Sequence, residues 1–268
     1  MSNNYSQCLV TVPNLRRMLK PDPNHIILSC DLAGADAQVV AWEAEDEDLK
    51  NAFRKGFKIH VKNGLDLWGP AIVGEDGRRE PYYTMIKSGV HAANYGAHAR
   101  TIARVIKGSV AQGQAFINKW FSLHPNIRDK WHQRVRHEVF SSRTATNRFG
   151  FRITFFDRID DSTVRDALAW GPQSTVALVT DKGMVNVYEH LFPHVKPLLQ
   201  VHDEGVYQIH KSNFGHVLPE LREHLSITIP YDDPLVIPVG LKASSRSWGD
   251  CEAVEWDSGQ EWLEANGK

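Results

Sequence analysis

Asp203 and Glu204 are adjacent acids in the stretch Val201-His202-Asp203-Glu204-Gly205, and neighbouring like charges repel. A cation at this point relieves the repulsion. In phosphoryl-transfer sites the usual cation is a divalent metal held by carboxylates. An isolated Asp-Glu pair reads more simply as a solvated turn. A third acid, Asp31, shifts the balance, because it ends the compact apolar run His25-Ile-Ile-Leu-Ser-Cys30. An acid at the end of a buried strand needs a partner. Alone, Asp31 reads as a helix N-cap after a strand. Together with Asp203 it can hold two Mg²⁺ ions roughly 3.5–4 Å apart, a pair that clamps the attacking and leaving oxygens of an in-line displacement.

A second pattern lies upstream of the acidic pair. Lys87, His91 and Tyr95 are spaced i, i+4, i+8 and share one face of a helix. A stripe of cation, imidazole and phenol suits a nucleoside triphosphate, although alone it reads as an ordinary amphipathic helix.

The elements that must position these groups are legible in outline. Pro197–Gln200 and Val206–Ile209 are apolar, β-prone runs on either side of the acidic turn, which predicts a β-hairpin. His25–Cys30 reads as a buried strand, and Asp31 meets Asp203 if the two strands are neighbours in one sheet. Residues 39–75 read as helical, Gly74–Gly77 as a turn, 81–96 as the helix of the stripe, and 97–140 as further helices broken at Pro125. The basic run Arg128–His137 reads as a solvated face, with contact to a template as the alternative. Asn147–Phe155 alternates like a strand pair around Gly150, and Arg165, Ala169 and Gln173 repeat by four on a later helix.

Three of these stretches occur in an order that resembles a known family. Asp31-Leu-Ala-Gly-Ala-Asp36-Ala-Gln38, Lys87-Ser-Gly-Val-His91-Ala-Ala-Asn94-Tyr95-Gly96 and Val201-His-Asp-Glu204 resemble motifs A, B and C of the A-family DNA polymerases. The resemblance runs from Pro13-Asn14-Leu15 to Ile237–Trp248, the latter like the family's last palm strand. It implies an α+β fold: a right-hand palm, an antiparallel sheet with helices, carrying a helical fingers insertion. Residues 1–42 and 161–268 would form the palm and 43–160 the fingers, with no thumb or exonuclease domain fitted into the chain. The implied activity is template-directed extension of a DNA primer with dNTPs, using two Mg²⁺ ions with Mn²⁺ as a possible substitute.

The resemblance also assigns roles. Asp31, Asp203 and Leu32 would hold metal, and Glu204 would support the catalytic pair. Lys87 and His60 would bind triphosphate, the latter from Phe57-Lys58-Ile59-His60, and His91 and Tyr95 would line the sugar and base. His91 replaces the usual Phe or Tyr, and Tyr83 replaces a usual arginine. Asp36 stands where family DNA polymerases carry a glutamate that rejects ribonucleotides, and it is one methylene shorter. Arg165, Gln173 and His202 would contact primer–template; Arg16, Arg17 and Lys20 would touch phosphates. A second polypeptide supplying thumb and exonuclease is one expectation, and a minimal enzyme of low processivity is the other. Rival readings are a non-catalytic replication subunit, a single-subunit RNA polymerase, disfavoured by Asp36 and Glu204, and a metal-dependent nuclease, which has no need of the Lys87 stripe.

Composition fits these expectations without adding to them. The 268 residues are 42% hydrophobic and 24% charged, enough for a good core in one or two domains. The net charge of −1 gives no bulk attraction to nucleic acid, so basic residues must concentrate on one face. Cys8, Cys30 and Cys251 are few and scattered, which suggests a reducing compartment and neither a disulfide framework nor a zinc site. No apolar run approaches a membrane span, and the N-terminus does not resemble a signal peptide. The expected location is cytoplasmic, the host cytoplasm for a phage-encoded protein, with no membrane partner.

Overall fold

The computed structural model describes residues 13–266. They pack as two units, one holding the chain up to Ala35 together with Val176–Lys268, the other Asp36–Thr175.

The first unit is built on a five-stranded antiparallel sheet whose order across the sheet is Val195–Val201, Glu204–His210, His25–Leu32, Val239–Ser244, Glu252–Val254. Its strands are β1 (His25–Leu32), β4 (Val195–Val201), β5 (Glu204–His210), β8 (Val239–Ser244) and β9 (Glu252–Val254). Side chains alternate across a strand, so β1 has two different faces. Ile26, Leu28 and Cys30 join Tyr207 and Ile209 against Val187 and Leu191 of the long helix α10 (Asp161–Leu191) and against Phe214, Leu218, Leu221 and Leu225 of α11 (Phe214–Leu225). The other face carries a smaller cluster of Ile27, Val201, Val206 and Trp248, and it ends in Asp31. β4 and β5 form the predicted hairpin, closed by the Val201–Glu204 pair with His202 and Asp203 as its turn. The strand within Ile237–Trp248 is β8. β9 was not legible, because its three residues bury only Val254 and carry no periodic signal.

The second unit is helical, with one small hairpin. Its helices include α2 (Ala35–Glu43), α3 (Glu47–Arg54), α4 (Ile59–Trp68), α6 (Tyr82–Asn94), α7 (Ala99–Val105), α8 (Val110–Leu123) and α9 (Gln133–Ser142), with the short α5 (Pro70–Val73) after α4. Asp46 caps α3 by accepting from Leu49 N at 3.0 Å. Ser109 and Gln112 form a capping box on α8. After the break at Pro125 the chain makes a π-helical turn, Ile127–His132, that runs straight into α9. The strand pair around Gly150 is β2 (Thr144–Thr146) with β3 (Arg152–Thr154). The division at Thr175/Val176 falls inside α10, where Ser174 and Thr175 hydroxyls donate to Gly171 O just past Pro172. At this level the architecture is the mixed sheet-and-helix fold expected from the sequence.

Candidate functional site

The sheet brings the three acids of the first unit together. Asp31 pairs directly with Glu204 across β1 and β5, and Asp203 occupies the adjoining turn. Asp203 O accepts from Leu32 N at 3.2 Å, which ties the turn to the end of β1. His202 has φ +57°, a left-handed conformation that suits a two-residue hairpin but is unusual for a non-glycine residue. Beneath the turn, a Cβ on Gly205 would lie 2.5 Å from Tyr207 Oη, so the site requires glycine there.

Glu204 is buried and braced on both oxygens. Ser29 Oγ donates to Oε1 at 2.5 Å and Trp248 Nε1 donates to the same oxygen at 2.8 Å. The Arg16 guanidinium lies 3.3 Å from Oε2 and 4.2 Å over the Trp248 ring. Asp31 is therefore the acid left in electrostatic tension. Burial, then Asp203 and Glu204, push its carboxyl up to about 6 against the opposing pull of Lys242 and Arg16. A divalent cation fits this set: the donors are hard oxygens, and positive charge relieves the crowding that raises Asp31. The groups that would hold it are the Asp31 and Asp203 carboxylates and the Leu32 carbonyl.

Arg16 and Arg17, expected at phosphates, are engaged within the first unit, Arg17 with Asp250 at 3.2 Å. Sequence reasoning missed the Ser29–Glu204–Trp248–Arg16 network. No local pattern announces a contact between residues so far apart in the chain.

The second unit carries the other predicted residues. On α6, Ile86, Gly89, Val90 and Ala93 face the core, while Lys87 and His91 are exposed and Tyr95 is half-buried at the helix end. The Tyr95 hydroxyl donates to Asp36 Oδ1, and His91 Nδ1 lies 3.0 Å from Asp36 Oδ2. Burial, then Asp36, raises the Tyr95 phenol well above its ordinary range. His60, on α4, stands edge-on to Tyr83 with ring centroids 6.2 Å apart. Burial, then Lys87 and His91, lower its pKa to about 4, so the imidazole is neutral at physiological pH. Its Nδ1 is buried and makes no hydrogen bond among the described residues. The end of α6 is fixed from both sides: Trp120 Nε1 donates to Asn94 Oδ1 at 2.8 Å, and His132 Nε2 lies 2.7 Å from Asn94 O.

Of the residues expected at primer–template, Arg165 and Gln173 lie on α10 and His202 in the hairpin turn. Arg165 reaches His98 Nε2 at 3.1 Å, and Gln173 is exposed. Asp46, Asp48 and His124 also place ligand-type atoms close together. Their bonding is structural: Asp46 caps α3 and meets His124 Nδ1 at 3.1 Å, and Asp48 pairs with Lys62. Among the described residues, no helix is long and apolar enough to cross a membrane.

Comparison with known proteins bears on the same residues. A family model described as DNA polymerase family A matches residues 9–250. The thermostable DNA polymerase I of Thermus filiformis is 26% identical over 247 residues, covering 87% of this chain and 28% of that protein. The DNA polymerase of Mycobacterium phage D29 is 24% identical over 243 residues, covering 90% of this chain and 38% of that one. The chain thus spans well under half the length of these relatives. Among solved structures, the POL domain of Pol1 from M. smegmatis, in complex with DNA primer-template and dNTP, matches with a TM-score of 0.76. It is 20% identical, and the match covers 89% of this chain and 43% of that one.

Proposed function

The chain belongs to DNA polymerase family A, and from that premise we propose that it extends a DNA primer with deoxynucleoside triphosphates under the direction of a template. The observation that carries the reading is the acidic cluster, with Asp31 opposite Glu204 and Asp203 in the adjoining turn. In this reading residues 1–42 and 161–268 are the palm and 43–160 the fingers, bounds that differ from the division of the two units at Ala35 and Thr175, and the ligands are those named for the M. smegmatis relative, primer–template and dNTP.

Asp31, Asp203 and the Leu32 carbonyl are the ligands for two Mg²⁺, with Mn²⁺ as a substitute. When bound, such a pair lowers the pKa of the primer 3′-hydroxyl and offsets charge on the departing pyrophosphate. Glu204, locked by Ser29, Trp248 and Arg16, keeps the turn in place. Lys87 and His60 hold the triphosphate: Lys87 neutralises its oxygens, and the neutral His60 imidazole, whose Nδ1 has no hydrogen-bond partner among the described residues, is free to bond to it. His91 and Tyr95 line the sugar and base, and Asp36 excludes the ribose 2′-hydroxyl. Arg165, Gln173 and His202 contact primer–template; minor-groove contacts of this kind check shape rather than sequence.

The test is primer extension by the purified chain with Mg²⁺ and dNTPs, beside Asp203→Ala. Extension that disappears in the variant is the expected result. Equal extension by both proteins overturns the assignment of Asp203. No extension by folded wild-type chain overturns self-sufficiency and directs the search to a second polypeptide that grips the duplex.

A further inference from the structure

Aspartate is a short lever. Its carboxylate hangs on one methylene and can turn about two bonds, so a lone Asp36 on α2 is a poor fixed obstacle. Here both of its oxygens have partners. The Tyr95 hydroxyl donates to Oδ1, and His91 Nδ1 lies 3.0 Å from Oδ2. A hydroxyl donor on one oxygen and an imidazole nitrogen at ion-pair distance from the other restrain the plane of the carboxylate as well as its direction.

The donors are themselves fixed. The His91 and Tyr95 rings meet edge-on with centroids 4.7 Å apart and an interplanar angle of 77°, and Tyr95 meets Trp131 in the same manner at 6.5 Å. The helix end that carries Tyr95 is held at Asn94 by Trp120 and His132. All of these residues belong to the helical unit.

We propose that His91 is a positioning residue for sugar selection: its Nδ1, acting opposite the Tyr95 hydroxyl, holds the short Asp36 carboxylate in the one orientation that excludes a ribose 2′-oxygen. The inference rests on the reading of Asp36 as the sugar-excluding acid. A phenyl ring at position 91 keeps the edge-on contact with Tyr95 but leaves Oδ2 unheld. The carboxylate then turns aside, and the ribose fits. The side chain of Asp36 is 31% exposed, so the effect of losing the His91 contact is moderate rather than complete.

The test is the ratio of kcat/KM for a deoxynucleotide to that for the matching ribonucleotide, measured on a primed template for the wild-type chain, Asp36→Ala, His91→Phe and His91→Asn. Asparagine places an amide N–H where Nδ1 was. The ratio is expected to fall about tenfold in His91→Phe, to fall further in Asp36→Ala, and to stay near wild type in His91→Asn. An unchanged ratio in His91→Phe, with a fall in Asp36→Ala, overturns the role of His91 alone. An unchanged ratio in Asp36→Ala overturns the reading of Asp36, and the inference falls with it. Equal falls in His91→Phe and His91→Asn make the ring, not its donor, the cause, and they also overturn the proposal.

Discussion

At the residue scale, Asp31 is held in a state that works against folding when no cation is bound. Its folded pKa, about 6, lies above the ordinary aspartate value because burial, Asp203 and Glu204 oppose ionisation. The folded state therefore binds the proton more tightly than the unfolded chain. The penalty is full above pH 6 and is relieved as pH falls through 6 towards 4. At pH 7.5 in chelator, Asp31→Asn is expected to be more stable than wild type by on the order of 1 kcal/mol, a figure reduced for the partial exposure of the group. Added Mg²⁺ should reverse the order, because only wild type gains stability from binding it. Thermal melts in EDTA and in Mg²⁺ check both halves. A variant that melts below wild type in EDTA would sink the argument, since a structural acid loses stability when replaced and a strained ligand does not. The Asp203→Ala extension assay and the His91 selectivity series act at this same scale, on catalysis and on substrate choice.

At the scale of elements, α7 and α8 pack backbone against backbone. An added Cβ at Gly113 on α8 would lie 2.3 Å from Ala99 O and 2.8 Å from Ala103 N, both backbone atoms of α7. Backbone in a helix cannot yield as a side chain tip can, so Gly113→Ala is expected to destabilise by about 1–3 kcal/mol despite alanine's better helix propensity. A denaturant midpoint at or above wild type would count against this packing. Such contacts mark the limit of what the sequence reveals. The strand ending in Asp31, the hairpin at Asp203 and the Lys87 helix were legible, because each is announced by a run or spacing within a dozen residues. That Arg16 braces Glu204 is not legible in the sequence, because the pairing spans most of the chain and leaves no local trace. The approach of His91 Nδ1 to Asp36 is hidden for the same reason, although each residue stands out singly. β9 escaped because three residues at a sheet edge, one of them buried, carry no period.

At the scale of the whole molecule, the two units answer acid in opposite senses. In the helical unit, burial lowers the pKa of His132 to about 4, against a hydrogen bond to Asn94 O that raises it, and burial with Lys87 and His91 takes His60 to about 4 as well. Each folded pKa lies below the unfolded histidine value near 6.5. On acidification the unfolded chain takes the proton first. The stability these residues contribute is complete above pH 6.5 and is lost as pH falls towards 4. In the sheet unit, Asp31 moves the other way over much of the same window, since its penalty is relieved below pH 6. Between pH 7 and pH 4.5, in chelator, amide exchange is therefore expected to accelerate earlier within residues 36–175 than within 176–268. Exchange should be compared after correction for its intrinsic pH dependence. Replacing His132 with a residue that does not titrate, as in His132→Gln, should flatten the response of the helical unit while leaving that of the sheet unit unchanged. A uniform loss of protection along the chain would mean that these buried imidazoles do not set the acid response. A helical unit more resistant to acid than the sheet unit would reverse the sign on which the argument depends.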